Sequence, residues 1–170
     1  MKKVLVSILL LIVTFVLSGC ETNVSSLYPE MPNDFFFTLT FGFDGYYDSK
    51  TGVLRNGYNY DLDCECKTKL FFDYKELEEI YHIFLDGSIY SWDDELTVTN
   101  SHTVPSYVIY ISFTANGKSK NISIRGASVT SPDKWNNSAR LGKAYYKIVD
   151  EYIKSSEEFK SLPKNQIYRE

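Results

Sequence analysis

The nine residues FFFTLTFGF, Phe35 to Phe43, constrain the fold more than any other stretch. Phe35, Phe37, Leu39, Phe41 and Phe43 fall on one side of an extended chain, and Phe36, Thr38, Thr40 and Gly42 on the other. A helical period would scatter the rings around an axis. A period of two collects them into one apolar face, so the stretch predicts a half-buried β-strand. SYVIYISFT repeats the signature, with Tyr107, Ile109, Ile111 and Phe113 inward and Val108, Tyr110, Ser112 and Thr114 outward. The run Ala115 to Lys118 (ANGK) is a hairpin turn, after which KNISIRG returns with Ile122 and Ile124 inward. From Tyr58, a further alternation sets Tyr58, Tyr60, Leu62, Cys64 and Cys66 against Asn59, Asp61, Asp63, Glu65 and Lys67. Asp44-Gly45 and the polar run to Gly52 predict a loop. Asn56-Gly57 predicts a tight turn joining Val53-Leu54 to the strand that follows.

Two segments carry a helical period instead. Asp73 followed three residues later by Glu76 has the spacing of a capping box, and Tyr74, Leu77, Ile80, Tyr81, Phe84 and Leu85 then form one stripe closed by Asp86-Gly87. Ser131-Pro132 predicts the cap of a second helix, whose face is Leu141, Tyr145, Ile148, Val149 and Tyr152 and which ends near Ser155 in a polar tail. Between the helices, Ser88 to Pro105 predicts a loop in which Leu96 and Val98 mark a short strand. Strands with one polar face, joined by short turns, predict an antiparallel sheet with one side open to water. The expected fold is α+β, a two-layer sandwich with a mainly antiparallel sheet of about four to five strands and two helices on one face, ordered β-β-α-β-β-α.

The chain begins MKKVLVSILLLIVTFVLSGC: two lysines, an apolar run broken only by Ser7 and Thr14, and small residues before Cys20. This is the positive, apolar, small-residue order of a secretory signal. Its apolar core is shorter than the roughly 20 residues of a membrane-spanning helix. Leu17-Ser18-Gly19-Cys20 resembles the lipobox of bacterial lipoproteins. The resemblance implies cleavage before Cys20, a diacylglycerol on its sulfur, and attachment to the outside of a bacterial membrane. Two or more acyl chains suffice for stable anchoring. The expected organisation is a signal peptide over 1–19, a flexible tether over 20–34 and a single α+β domain over 35–170. The mature domain, through its Phe- and Gly-containing first strand, the helix segment ELEEIY (Glu76 to Tyr81) and the Leu162-Pro163 pair, resembles a loose group of small, uncharacterised bacterial lipoproteins.

Charge then narrows the partners. The chain has 18 Lys and Arg against 22 Asp and Glu; loss of Lys2 and Lys3 with the signal leaves 16 against 22, a net charge of −6. A negative domain has no electrostatic basis for binding nucleic acid or anionic headgroups, so the lipid on Cys20 does the holding. No phosphate loop, dinucleotide fingerprint, G-x-S-x-G or H-E-x-x-H occurs in the sequence, and no cofactor is expected.

Cys64 and Cys66 are the obvious chemical candidates. As a metal site they have C-x-C rather than C-x2-C spacing, and neither His82 nor His102 is placed to join them. As a disulfide they would stand about 6.7 Å apart on a strand, where a bridge needs Cβ atoms roughly 4 Å apart. As nucleophiles they lack a neighbouring base. The strand period places both thiols on the apolar face, as small core side chains. Asp61, Asp63 and Glu65 fall on the polar face, at a spacing too wide to share one calcium ion. What remains is the open face itself. Phe36, Thr38, Asp61, Asp63, Tyr110 and Arg125 are expected there together, and aromatic rings among mixed polar groups suit recognition. The expected function is a membrane-tethered binding module, without catalysis, for an envelope protein or cell-wall component. Alternatives are an envelope hydrolase whose carboxylates meet only in the fold, and a self-protection or inhibitor lipoprotein.

Overall fold

A computed structural model describes residues 29–42, 44–59, 64–97, 108–125 and 139–163. Cys20, Phe43, Asp61, Asp63, Val98, Tyr107, Ser131 and Pro132 lie outside the described residues. Seven strands form one sheet: β1 Phe36–Phe41, β2 Gly45–Asp48, β3 Val53–Asn59, β4 Cys64–Lys69, β5 Glu95–Thr97, β6 Val108–Ala115 and β7 Lys118–Arg125. Their spatial order is β4-β3-β2-β1-β6-β7-β5. Helix α1 spans Tyr74–Asp86, α2 spans Ala139–Lys147 and runs on as a π-helical turn over Ile148–Ile153, and α3 spans Glu157–Ser161.

The class is α+β, but the expected sheet is corrected. Among the described residues it has seven strands rather than four or five, it is mixed because β5 runs parallel to β7, and three helices accompany it rather than two. Three local features account for the difference. First, the run expected to loop after Asp44 contains β2, four residues that pair with both β1 and β3. Tyr47 is fully buried there, which a polar-looking segment conceals; its hydroxyl donates to Leu70 C=O at 3.2 Å. A buried phenol needs such an acceptor. Second, Asn56-Gly57 is no hairpin turn. It lies inside β3, where the register against β4 slips between Arg55 and Tyr58 and Gly57 adopts φ +79°. Glycine in that region lets a bulge form without a Cβ penalty. Third, the alternation beginning at Tyr58 belongs to two strands, because Asn59 of β3 pairs with Cys64 of the antiparallel β4.

The remaining strands follow their patterns. Ile109, Ile111 and Phe113 of β6 and Ile122 and Ile124 of β7 are buried, and Asn116-Gly117 closes their hairpin with both residues at positive φ, as a type I′ turn demands. Asp73 caps α1 as its spacing predicts: its carboxylate accepts from Glu76 N–H at 2.8 Å while Glu76 accepts from Asp73 N–H at 2.9 Å. The buried stripe of α1 is Ile80, Tyr81, Ile83 and Phe84, whereas Tyr74, expected in it, is 62% exposed.

In α2 the wide turn changes the face. Lys154 N–H donates to Val149 C=O, five residues back, and Ile153 is buried while Tyr152 is only half-buried. An α-helical continuation of the Leu141–Tyr145–Ile148 stripe would have turned Tyr152 inward. The polar tail holds α3, capped by Ser156, with Phe159 6.0 Å from Phe41.

Between sheet and helices lies one core. Phe37 stands 5.3 Å from Phe84 and 5.6 Å from Tyr47, and Phe113 stands 5.3 Å from both Phe84 and Tyr90. Each buried large apolar side chain contributes about 1.5–3 kcal/mol. Cys66 belongs to the buried set, at 1% exposure.

Candidate functional site

The other face of the sheet carries the outward residues of each strand. Among the described residues, shallow depressions interrupt it at two places. The smaller, about 430 Å³, lies over β6 and β7 and is lined by Thr38, Tyr110, Ser112, Asn121, Ser123 and Glu95. Tyr110, directly opposite Ser123, is 55% exposed. Its position depends on Thr40. The last ladder pair between β1 and β6 is Leu39 with Ile111, and beyond it Tyr110 N–H donates to the Thr40 hydroxyl at 2.9 Å. Thr40 C=O in turn accepts the Tyr145 hydroxyl at 2.9 Å, which ties this corner of the face to α2. Burial pushes the Tyr145 phenol well above its ordinary range, so it stays a donor.

The larger depression, about 780 Å³, lies over β2, β3 and β4 and is lined by Tyr46, Val53, Arg55, Glu65, Lys67 and Lys69. The ladder builds it: Tyr46 pairs with Arg55, Arg55 with Lys67, and Val53 with Lys69. The Arg55 guanidinium carbon stands 6.0 Å from the Tyr46 ring centroid, within reach of the negative ring face. Glu65 accepts from Lys67 Nζ at 3.0 Å and lies 3.8 Å from Arg55. The Lys67 hydrogen bond is the main reason its carboxyl is held below the usual carboxylate range. Arg55 Nε is buried and has no hydrogen-bond partner among the described residues. Lys69 Nζ donates to Thr51 C=O at 2.7 Å. The nearby Asp48 faces its own turn, accepting from Lys50 N–H at 2.9 Å and the Thr51 hydroxyl at 2.7 Å. Three cations against one carboxylate therefore line this groove, on a chain whose net charge is −4.

The residues expected on the face are spread over it. Thr38 and Tyr110 share the smaller depression. Phe36, half-buried, pairs with Thr114 and lies under Lys50 Nζ at 4.8 Å from the ring centroid. Arg125 is exposed opposite Val108, so along β6 it stands six residues, roughly 20 Å, from the level of Phe36. Asp61, Asp63 and Cys20 lie outside the described residues. Tyr46 and Arg55 went unrecognised, because Tyr46 falls in the run expected to loop and Arg55 beside the expected turn. The alternation of Gly45, Tyr46, Tyr47 and Asp48 was the available signal.

A third hollow, about 390 Å³, lies between the loop before α1 and the π turn, and gathers Glu76, Glu79, Glu151 and Glu158 around Tyr152. Two of these acids serve the fold. Glu76 completes the capping box, and Glu79 accepts the Tyr152 hydroxyl at 2.8 Å. Burial and that bond push the Tyr152 phenol up to about 12. Among the described residues no group of three or more His, Cys, Asp or Glu side chains is placed to hold a metal ion, and no helix is long and apolar enough to cross a membrane. No family model matches the chain, and no curated protein matches its sequence.

Proposed function

We propose that the protein is a lipid-anchored, extracytoplasmic binding module whose open sheet face receives a protein or cell-wall partner. One observation carries this reading. The described open face of the sheet is mostly polar and shallowly hollowed, and each of its two hollows holds a tyrosine among hydrogen-bonding groups. Aromatic rings in a polar setting give contact area at little entropic cost. Binding is favoured over hydrolysis in the larger hollow by the state of its carboxylate. A general acid needs a raised pKa, whereas Glu65 is held low by Lys67. The anchoring half of the proposal rests on Leu17-Ser18-Gly19-Cys20.

A photo-crosslinking side chain in place of Tyr110 or of Tyr46, in the native cells, is expected to trap one specific partner. The same group in place of Glu79, on the helix side, is expected to trap none. Equal adducts from both sides, or none from the sheet side, would sink the reading. In the same cells Cys20→Ala is expected to abolish incorporation of labelled fatty acid, and continued incorporation would refute the anchor.

A further inference from the structure

Among the described residues β4 is one edge of the sheet, and the larger groove lies along it. An edge strand presents backbone donors and acceptors along its outer side, a template for a further strand. The groove beside this end has an apolar floor in Tyr46 and Val53 and a basic rim in Arg55, Lys67 and Lys69, set against Glu65 alone. Thr68, at the inward-facing register of β4, completes the lining. Arg55 offers a buried Nε–H with no acceptor among the described residues.

We propose that the β4 edge and this groove form a docking site for an extended acidic segment of a partner protein, added to the sheet as an extra strand. This rests on the binding-module reading above and names the partner's chemistry. Backbone pairing along β4 supplies affinity, and alternate side chains of the incoming strand reach the groove. Its carboxylates meet Arg55, Lys67 and Lys69, and its apolar side chains meet Tyr46 and Val53. Charge decides the occupant. A second copy of this chain would bring the same basic set, like charge against like, whereas an acidic strand meets opposite charge.

The test uses the full-length chain and fluorescence polarisation with labelled peptides of about seven residues, a typical strand length, in which Glu alternates with Val or Thr. The acidic peptide is expected to bind at least about tenfold more tightly than its Lys counterpart, with affinity falling as salt rises. Methylating alternate backbone amides, which blocks strand pairing, is expected to weaken it by about tenfold or more. The double substitution Lys67→Glu and Lys69→Glu should reverse the charge preference while the circular dichroism spectrum is unchanged. If that variant unfolds, Lys69→Gln alone should still weaken the acidic peptide.

No binding, binding blind to charge, or binding blind to amide methylation overturns the proposal. So does sedimentation showing that β4 pairs with a second copy. Crosslinks from position 110 without acidic-peptide binding would defeat this inference alone; loss of both would defeat the binding-module reading with it.

Discussion

Asp34 stands where the chain enters the sheet, and its carboxylate accepts the backbone N–H groups of Asn116 at 2.8 Å and Gly117 at 2.6 Å. It thereby closes the β6–β7 turn from a segment more than eighty residues away. These two bonds, Gly117 first, hold its carboxyl below the usual aspartate range. A lowered folded pKa means the carboxylate stabilises the fold fully above the unfolded value and loses that contribution as pH falls through the lowered one. Asp34→Asn is therefore expected to lower the urea midpoint at pH 7, and by progressively less as pH falls below the ordinary aspartate value of about 3.9. A gap between the variants that widens on acidification would contradict the assignment. This contact was hidden from local patterning, since a carboxylate beside Pro32 and Asn33 carries no sign of a distant turn.

At the scale of the element, legibility followed the range of the forces involved. The capping box of α1 was visible because Asp73 and Glu76 satisfy each other within one turn. Asp73→Ala is expected to cost about 1 kcal/mol of stability, read as a shift in thermal midpoint, and an unchanged midpoint would show that Glu76 alone secures the helix start. The β6–β7 hairpin was visible for the same reason, its turn chemistry and both apolar faces lying within about eighteen residues. β2 was not, because four residues carry too little period and Tyr47 is polar by composition yet buried by position. Asn56-Gly57 misled because the positive φ that suits a tight turn also suits a bulge. Only pairing with strands on both sides separates those outcomes. In the last helical segment, the π turn moved Ile153 inward where an unbroken period placed Tyr152, and no local residue announces that wide turn.

At the scale of the molecule, the sheet among the described residues ends on the three-residue β5 and the six-residue β4. A short strand offers little template, so β4 is the end that needs protection. Its outward residues Glu65, Lys67 and Lys69 are all charged, and edge lysines oppose pairing between copies. Replacing Lys67 by Thr and Lys69 by Val is expected to produce larger species in sedimentation velocity; a distribution matching the parent would mean that other features guard the edge. By itself the sequence determined the inward faces of β1, β6, β7 and α1, the α+β class, and the polar character of the open face, because burial periodicity is written into neighbouring residues. Only the tertiary structure decided the strand count, the parallel placement of β5 and the separation of Phe36 from Arg125. It alone assembled the basic groove from Tyr46, Arg55, Lys67 and Lys69. Those features depend on which strand lies beside which, and cross-strand pairing joins residues whose separation along the chain leaves no local trace.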